Sequence, residues 1–210
     1  QNYNHTFQLE LPGGWRQIAP NEALLLSESD NAPPDIYPND PRRLYTVGPI
    51  DEWLDGKLGG PWLRMIERKD AWYIDDDYAA TLREHWQQES DSTGISHTIA
   101  DVQLEKLGRQ QVECIVLTRN TAYPEPRGAT RSLDVHAPTA NQQLTFSFGC
   151  PQEQFAQWQP EFRRWLETLT FARVSESPAT LSDRLWTPLL VGGAVGLVLL
   201  LLYKHTRTRR

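Results

Sequence analysis

Nineteen residues from Leu185 to Tyr203 carry no charge, and this run limits what the chain can become more than any other stretch. A helix rises about 1.5 Å per residue and the hydrocarbon core of a bilayer is about 30 Å thick, so the run is long enough to cross one. Leu197 to Leu201 leave no polar face, unlike a core helix of a water-soluble domain. Trp186 and Tyr203 stand near its ends, where amphipathic rings favour the headgroup level, and Arg184 and Lys204 bracket it. We therefore read 185–203 as one transmembrane helix, 175–184 as a polar juxtamembrane linker and 204–210 as a basic tail.

Charge sets the expected orientation. The tail holds Lys204, Arg207, Arg209 and Arg210, whereas Ser175 to Arg184 holds one arginine and two acids. Excess Lys and Arg stays cytoplasmic. The predicted topology is single-pass in the inner or plasma membrane, with the C-terminus cytoplasmic and residues 1–174 forming a periplasmic or otherwise extracytoplasmic domain. The chain opens at Gln1 and its one methionine is Met65, which agrees with removal of an upstream signal peptide. Before Arg184 stand 16 Lys and Arg against 27 Asp and Glu, a formal charge of −11, which disfavours nucleic acid as a partner. The bilayer is engaged through the one helix only.

In chain order, residues 5–11, HTFQLEL, alternate apolar and polar side chains and predict a first strand. Pro12-Gly13-Gly14 turns the chain and delivers Trp15, which with Ile18 folds back over the core. EALLLSES, residues 22–29, reads as a second strand, and the proline-rich 30–43 as a long exposed loop, either functional or a plain insertion. Leu44 to Val47 suit a short strand. Residues 48–73 mix Gly56, Gly59, Gly60 and Pro61 with Trp53, Trp62 and Trp72. Exposed tryptophans beside glycines make a candidate partner surface, and buried ones are simply core. Asp75-Asp76-Asp77 reads as the capped start of a helix carrying Tyr78, Leu82 and Trp86 at four-residue spacing, since three consecutive acids lack the spacing of a calcium loop.

After Gly94 the period changes from helical to alternating. ISHTIADVQLEKL and QVECIVLTR flank a glycine turn, and RSLDVHA and QQLTFSFGC follow, so four strands in meander order predict an antiparallel sheet. Val112, Cys114 and Val116 share one covered face with Leu144, Phe146, Phe148 and Cys150. Cys114 and Cys150 either pair in a disulfide or stay as free buried thiols. A meander puts another strand between them, about 10 Å of separation, which favours free thiols. Pro151 then opens a helix at its first position, with Phe155, Trp158, Phe162, Trp165, Leu166 and Leu169 in one stripe and Pro160 kinking or splitting it. Thr170-Phe171-Ala172 suits a short closing strand.

The strand ending in LPGGW, the mid-chain glycine hairpin, and the run from FSFGCP into a helix closing with LETLTF resemble PsbP-like and DcrB-like α/β-sandwich domains over about residues 5–173. The resemblance implies an α+β fold, an antiparallel sheet flanked by helices with the terminal helix on one face, to which this chain adds the C-terminal transmembrane helix. Such domains mostly act as binding, accessory or chaperone modules, so no catalytic residue is carried over.

The residues themselves name no reaction. GxSxG, HExxH, a phosphate-binding glycine loop and CxxC do not occur. Asp134 near His136 and Ser96 beside His97 are read as alternating across their strands, without catalytic geometry. His5, His85, His97 and His136 are scattered, so neither a metal site nor a cofactor is expected. The expected function is non-enzymatic: an accessory subunit of a membrane complex, or an immunity-type binder of a secreted toxin, meeting a protein partner in the periplasm or within the membrane. Gly192 and Gly196, with Gly193 between them, form a GxxxG face that lets a second helix approach or is merely tolerated in lipid. The alternatives are a hydrolase with a dispersed triad and a small-ligand carrier whose pocket is lined by residues such as Trp15 and Trp158.

Overall fold

Alternation of apolar side chains decides where the strands lie. The computed structural model describes residues 7–27, 43–57, 59–68, 78–124, 128–139 and 143–172, all within the unit Gln1–Ser175. The apolar run 185–203 with Gly192, Gly193 and Gly196, the linker, the tail, Trp72, Asp75–Asp77 and the proline-rich segment through residue 42 lie outside the described residues. Among the described residues no helix is long and apolar enough to cross a membrane.

In chain order the elements are β1 (Phe7–Gln8), β2 (Arg16–Gln17), α1 (Pro20–Ser27), β3 (Arg43–Gly48), α2 (Ile50–Leu54), β4 (Trp62–Arg68), α3 (Tyr78–Thr93), β5 (Ser96–Leu107), β6 (Val112–Ala122), β7 (Ala129–Pro138), β8 (Gln143–Pro151), α4 (Phe155–Glu167) and β9 (Thr170–Phe171). Strands β5 to β8 form the expected antiparallel meander. Strand β4 adds antiparallel to β8, from Trp62 opposite Gly149 to Arg68 opposite Gln143, and the sheet order is β2-β3-β4-β8-β7-β6-β5.

One face of this sheet holds the main core. Leu63, Met65, Cys114, Val116, Leu133, Val135, Phe146 and Phe148 pack there beneath Phe155, Phe162, Trp165 and Leu166 of α4. Phe162 sits 5.6 Å from Phe148 and 5.5 Å from Trp165 between ring centroids. Each such side chain contributes about 1.5–3 kcal/mol by leaving water, which is why the stripe orients α4. Helix α4 runs unbroken through Pro160, whose ring lies on the solvent side. Pro151 does not open this helix: it ends β8 with extended ψ 141 and precedes a 3-10 turn at Gln152–Gln154.

Two further expectations change. Among the described residues the first strand covers Phe7–Gln8, not the stretch through Leu11, and pairs with β9 with Phe7 opposite Phe171. The strand expected over residues 22–29 is not found where the structure describes them: α1 covers Pro20–Ser27, and residues 28 and 29 lie outside the described residues. Pro20 takes the first helical position and the Glu22 carboxylate accepts the Ala19 N–H at 2.8 Å, half of a capping box. Glu22 also holds Arg16 at 2.7 Å. The Arg16 hydrogen bonds, then that backbone contact, draw the Glu22 carboxyl down to about 2. Ala23 and Leu26, three apart, are the buried face, while Leu24 and Leu25 are exposed.

The second face of the sheet is covered in parts. At one end Ala23 and Leu26 of α1 and Ile50 and Trp53 of α2 cluster with Trp62 of β4. Trp53 and Trp62 are 1% and 3% exposed, so neither offers a ring to a partner. The neighbouring glycines explain their placement. A Cβ on Gly149 would stand 2.5 Å from the Trp62 ring, and one on Gly48 would overlap Trp53. The strands carry glycine where an indole comes close to the backbone. At the other end Tyr78 and Leu82 of α3 pack on Ile115 and Leu117.

Candidate functional site

Between these two coverings the second face is polar and buried. Arg64, Arg119, Thr121, Ser132, Asp134, His136, Gln143, Thr145 and Ser147 are all buried. Asp134 and His136 are two residues apart on β7, and a strand repeats every two residues, so both point to this face rather than to opposite ones. Arg119 Nε donates to Asp134 Oδ2 at 2.7 Å and the Arg119 guanidinium lies 4.1 Å from the Trp86 ring centroid. Arg119 also donates to Thr121 Oγ1 at 2.8 Å and faces His97 Nδ1 at 3.3 Å. Burial alone raises the Asp134 carboxyl, but Arg119, with His136 and Arg64 beyond it, outweighs burial and holds it below the usual carboxylate range.

His136 is held by its neighbours at Nδ1. Gln143 Nε2 donates to His136 Nδ1 at 2.8 Å and to the Tyr78 hydroxyl at 2.9 Å. Ser132 and His136 stand four residues apart on one extended strand, about 13 Å along it, which is too far for a serine-histidine relay. Among the described residues no group of three or more His, Cys, Asp or Glu could hold a metal ion. This face is an ion-paired, hydrogen-bonded layer of the fold.

An accessible site lies on the other side, beside α4. The chain from Glu10 to Trp15 and the flank of α4 bound an open groove of ≈ 540 Å³. Leu11, Pro12 and Trp15 form one wall; Trp158, Glu161, Arg164 and Trp165 form the other, with Thr168 beside them. The Pro12-Gly13-Gly14 turn closes with the Trp15 N–H on the Pro12 carbonyl at 3.3 Å, and Trp15 meets Trp165 edge to face with centroids 5.0 Å apart. The walls are tied together by the Glu10 N–H to Thr168 Oγ1 at 3.0 Å and by the β1–β9 pair. Charged pairs flank the rings: Glu10 with Arg109 at 2.7 Å, and Glu161 with Arg164. Trp15 and Trp158 are partly buried and rest on the main core. The LPGGW turn and the α4 stripe were both readable, and a pocket lined by Trp15 and Trp158 was one of the alternatives they allowed; the structure brings the two residues into one groove although they lie far apart in the chain.

The two thiols stay apart. Cys114 and Cys150 are free and buried, on β6 and β8, with β7 between them. Burial pushes both thiols up to about 12. An aromatic disulfide reagent is therefore expected to leave the native protein unmodified at neutral pH and to titrate two thiols per chain after unfolding. Fewer than two thiols in the unfolded, unreduced chain would show a disulfide instead.

No family model matches the sequence, and no curated protein matches it. Among solved structures, the solution structure of cyanobacterial PsbP (CyanoP) from Synechocystis sp. PCC 6803 is similar at a TM-score of 0.53 and 9% identity, over 80% of this chain and 93% of that one. At that identity the likeness speaks for the fold alone: the chain has a PsbP-like α+β fold, an antiparallel sheet with helices on it.

Proposed function

We propose that this protein is a non-enzymatic binding module, held at a membrane by the apolar run 185–203, which captures a protein partner outside the cytoplasm through the groove between the LPGGW turn and α4. The observation that carries this reading is the groove itself. Three tryptophans and an arginine line one concavity, Trp15, Trp158, Trp165 and Arg164, and these residue types dominate the energetic centres of protein interfaces. Backbone and side-chain hydrogen bonds already fix the walls, so little ordering is lost when a partner docks. The charge of −11 before Arg184 keeps such a domain soluble and steers its encounters.

A photo-crosslinking residue placed at Arg164 of the full-length protein tests this. In native membranes it is expected to give one discrete protein adduct, absent when the same residue replaces Gln103, exposed on β5. The same adducts from both positions, or none from Arg164, would argue that the groove is not the docking site.

A further inference from the structure

We infer that the groove takes an arginine side chain of the partner polypeptide, stacked on indole and paired with carboxylate; this rests on the reading of the groove as the docking site. Glu10 and Glu161 stand on opposite walls, with the Trp15 and Trp158 rings in the same groove. A guanidinium is planar, stacks on aromatic faces and bonds a carboxylate through two N–H groups, which an ammonium cannot match. The domain already places guanidinium groups over aromatic rings within itself. Arg119 lies 4.1 Å from the Trp86 centroid while it pairs with Asp134, and Arg131 lies 4.8 Å from the Phe155 centroid.

The groove carboxylates now hold the chain's own arginines. Arg109–Glu10 has side chains 62% and 71% exposed, and Arg164–Glu161 69% and 36%. Exposed pairs of this kind contribute about 0–1 kcal/mol, so an incoming guanidinium exchanges with them at little cost and leaves no buried charge unpaired. The acidic balance before Arg184 attracts a cationic segment at long range.

The test uses the full-length protein in mild detergent with indole N–H resonances as the readout. The probes are two capped pentapeptides, Gly-Pro-Arg-Pro-Gly and the same peptide with citrulline, which keeps the shape and loses the charge. The arginine peptide is expected to move the Trp15 and Trp158 signals with a dissociation constant of about 1 mM or tighter. Citrulline should weaken it roughly tenfold, as should Glu161→Gln combined with Glu10→Gln, and added salt should weaken it further. Trp158→Ala should remove the response, and the isosteric glutamine variants keep the test informative if that protein folds poorly. Equal binding of both peptides would overturn the arginine inference and leave the groove as a peptide site. A response to a neutral N-acetylglucosamine tetramer alone would overturn both the arginine inference and the protein-partner reading. No response to any probe, with an Arg164 crosslink still formed, would overturn the arginine inference only.

Discussion

Replacing Arg119 by methionine is expected to destabilise the domain by about 3–5 kcal/mol, the cost of leaving a buried carboxylate without its partner. Arg119 and Asp134 have side chains 2% and 1% exposed, so water cannot take over. Thermal unfolding of the full-length protein should fall by roughly 10 °C or more. The pH dependence fixes the cause. In the parent, Asp134 is held below its ordinary value, so its stabilisation is present above the carboxylate range and is lost as pH falls through the lowered value. Without Arg119, burial raises the same carboxyl, and protonation then relieves it. The gap between parent and variant should therefore narrow as the pH falls. A second change, Asp134→Leu in the Arg119→Met background, should recover much of the loss, because an apolar pair of similar volume carries no desolvation penalty. A single variant as stable as the parent at pH 7 would show that the pair is not the keystone of this face.

Gly108→Ala carries the second large effect, through backbone geometry rather than charge. Gly108 holds φ +72, and a Cβ there would run into the Leu169 carbonyl oxygen. A backbone atom cannot step aside as a side chain can, so the β5–β6 tip would have to leave β9. That tip is well tied. The Arg109 N–H donates to Leu169 O at 2.9 Å. The Gln110 amide brackets Phe171, donating to its carbonyl at 2.7 Å and accepting its N–H at 2.6 Å, as a neighbouring strand would. Left-handed strain of about 1–2 kcal/mol and roughly 1 kcal/mol for each hydrogen bond lost predict about 3 kcal/mol or more. Gln110→Ala should lose about half of that, and in both variants the Phe171 amide should exchange faster with solvent. An unchanged Phe171 exchange rate in Gly108→Ala would show that the tip accommodates the methyl without opening.

How much of this was legible before the fold was seen follows from the range of each interaction. The meander, its covered face and the α4 stripe depend on periods of two and 3.6, which act within one element and stand open in the residues. Helix α1 was legible too, in Pro20 at the first helical position and Glu22 two further on, but the run Leu24-Leu25-Leu26 looked like a strand because an apolar triplet has no period. The Trp53 and Trp62 rings were open to two readings, as surface or as core. What decided between them was packing against strand glycines: Gly149 lies against Trp62 once β4 has paired with β8, and Gly48 lies against Trp53 once α2 has folded back on β3.

The β5–β8 meander, the α4 stripe, the acidic balance and the uncharged run at 185–203 stand in the residues alone, because periodicity, charge and hydropathy need no partner. Long-range packing settled that β4 joins β8, that Arg119 finds Asp134, and that Trp15 and Trp158 line one groove. Each of those is a contact between residues distant in the chain, and distant contacts are chosen by how whole faces pack together, which no window of sequence contains.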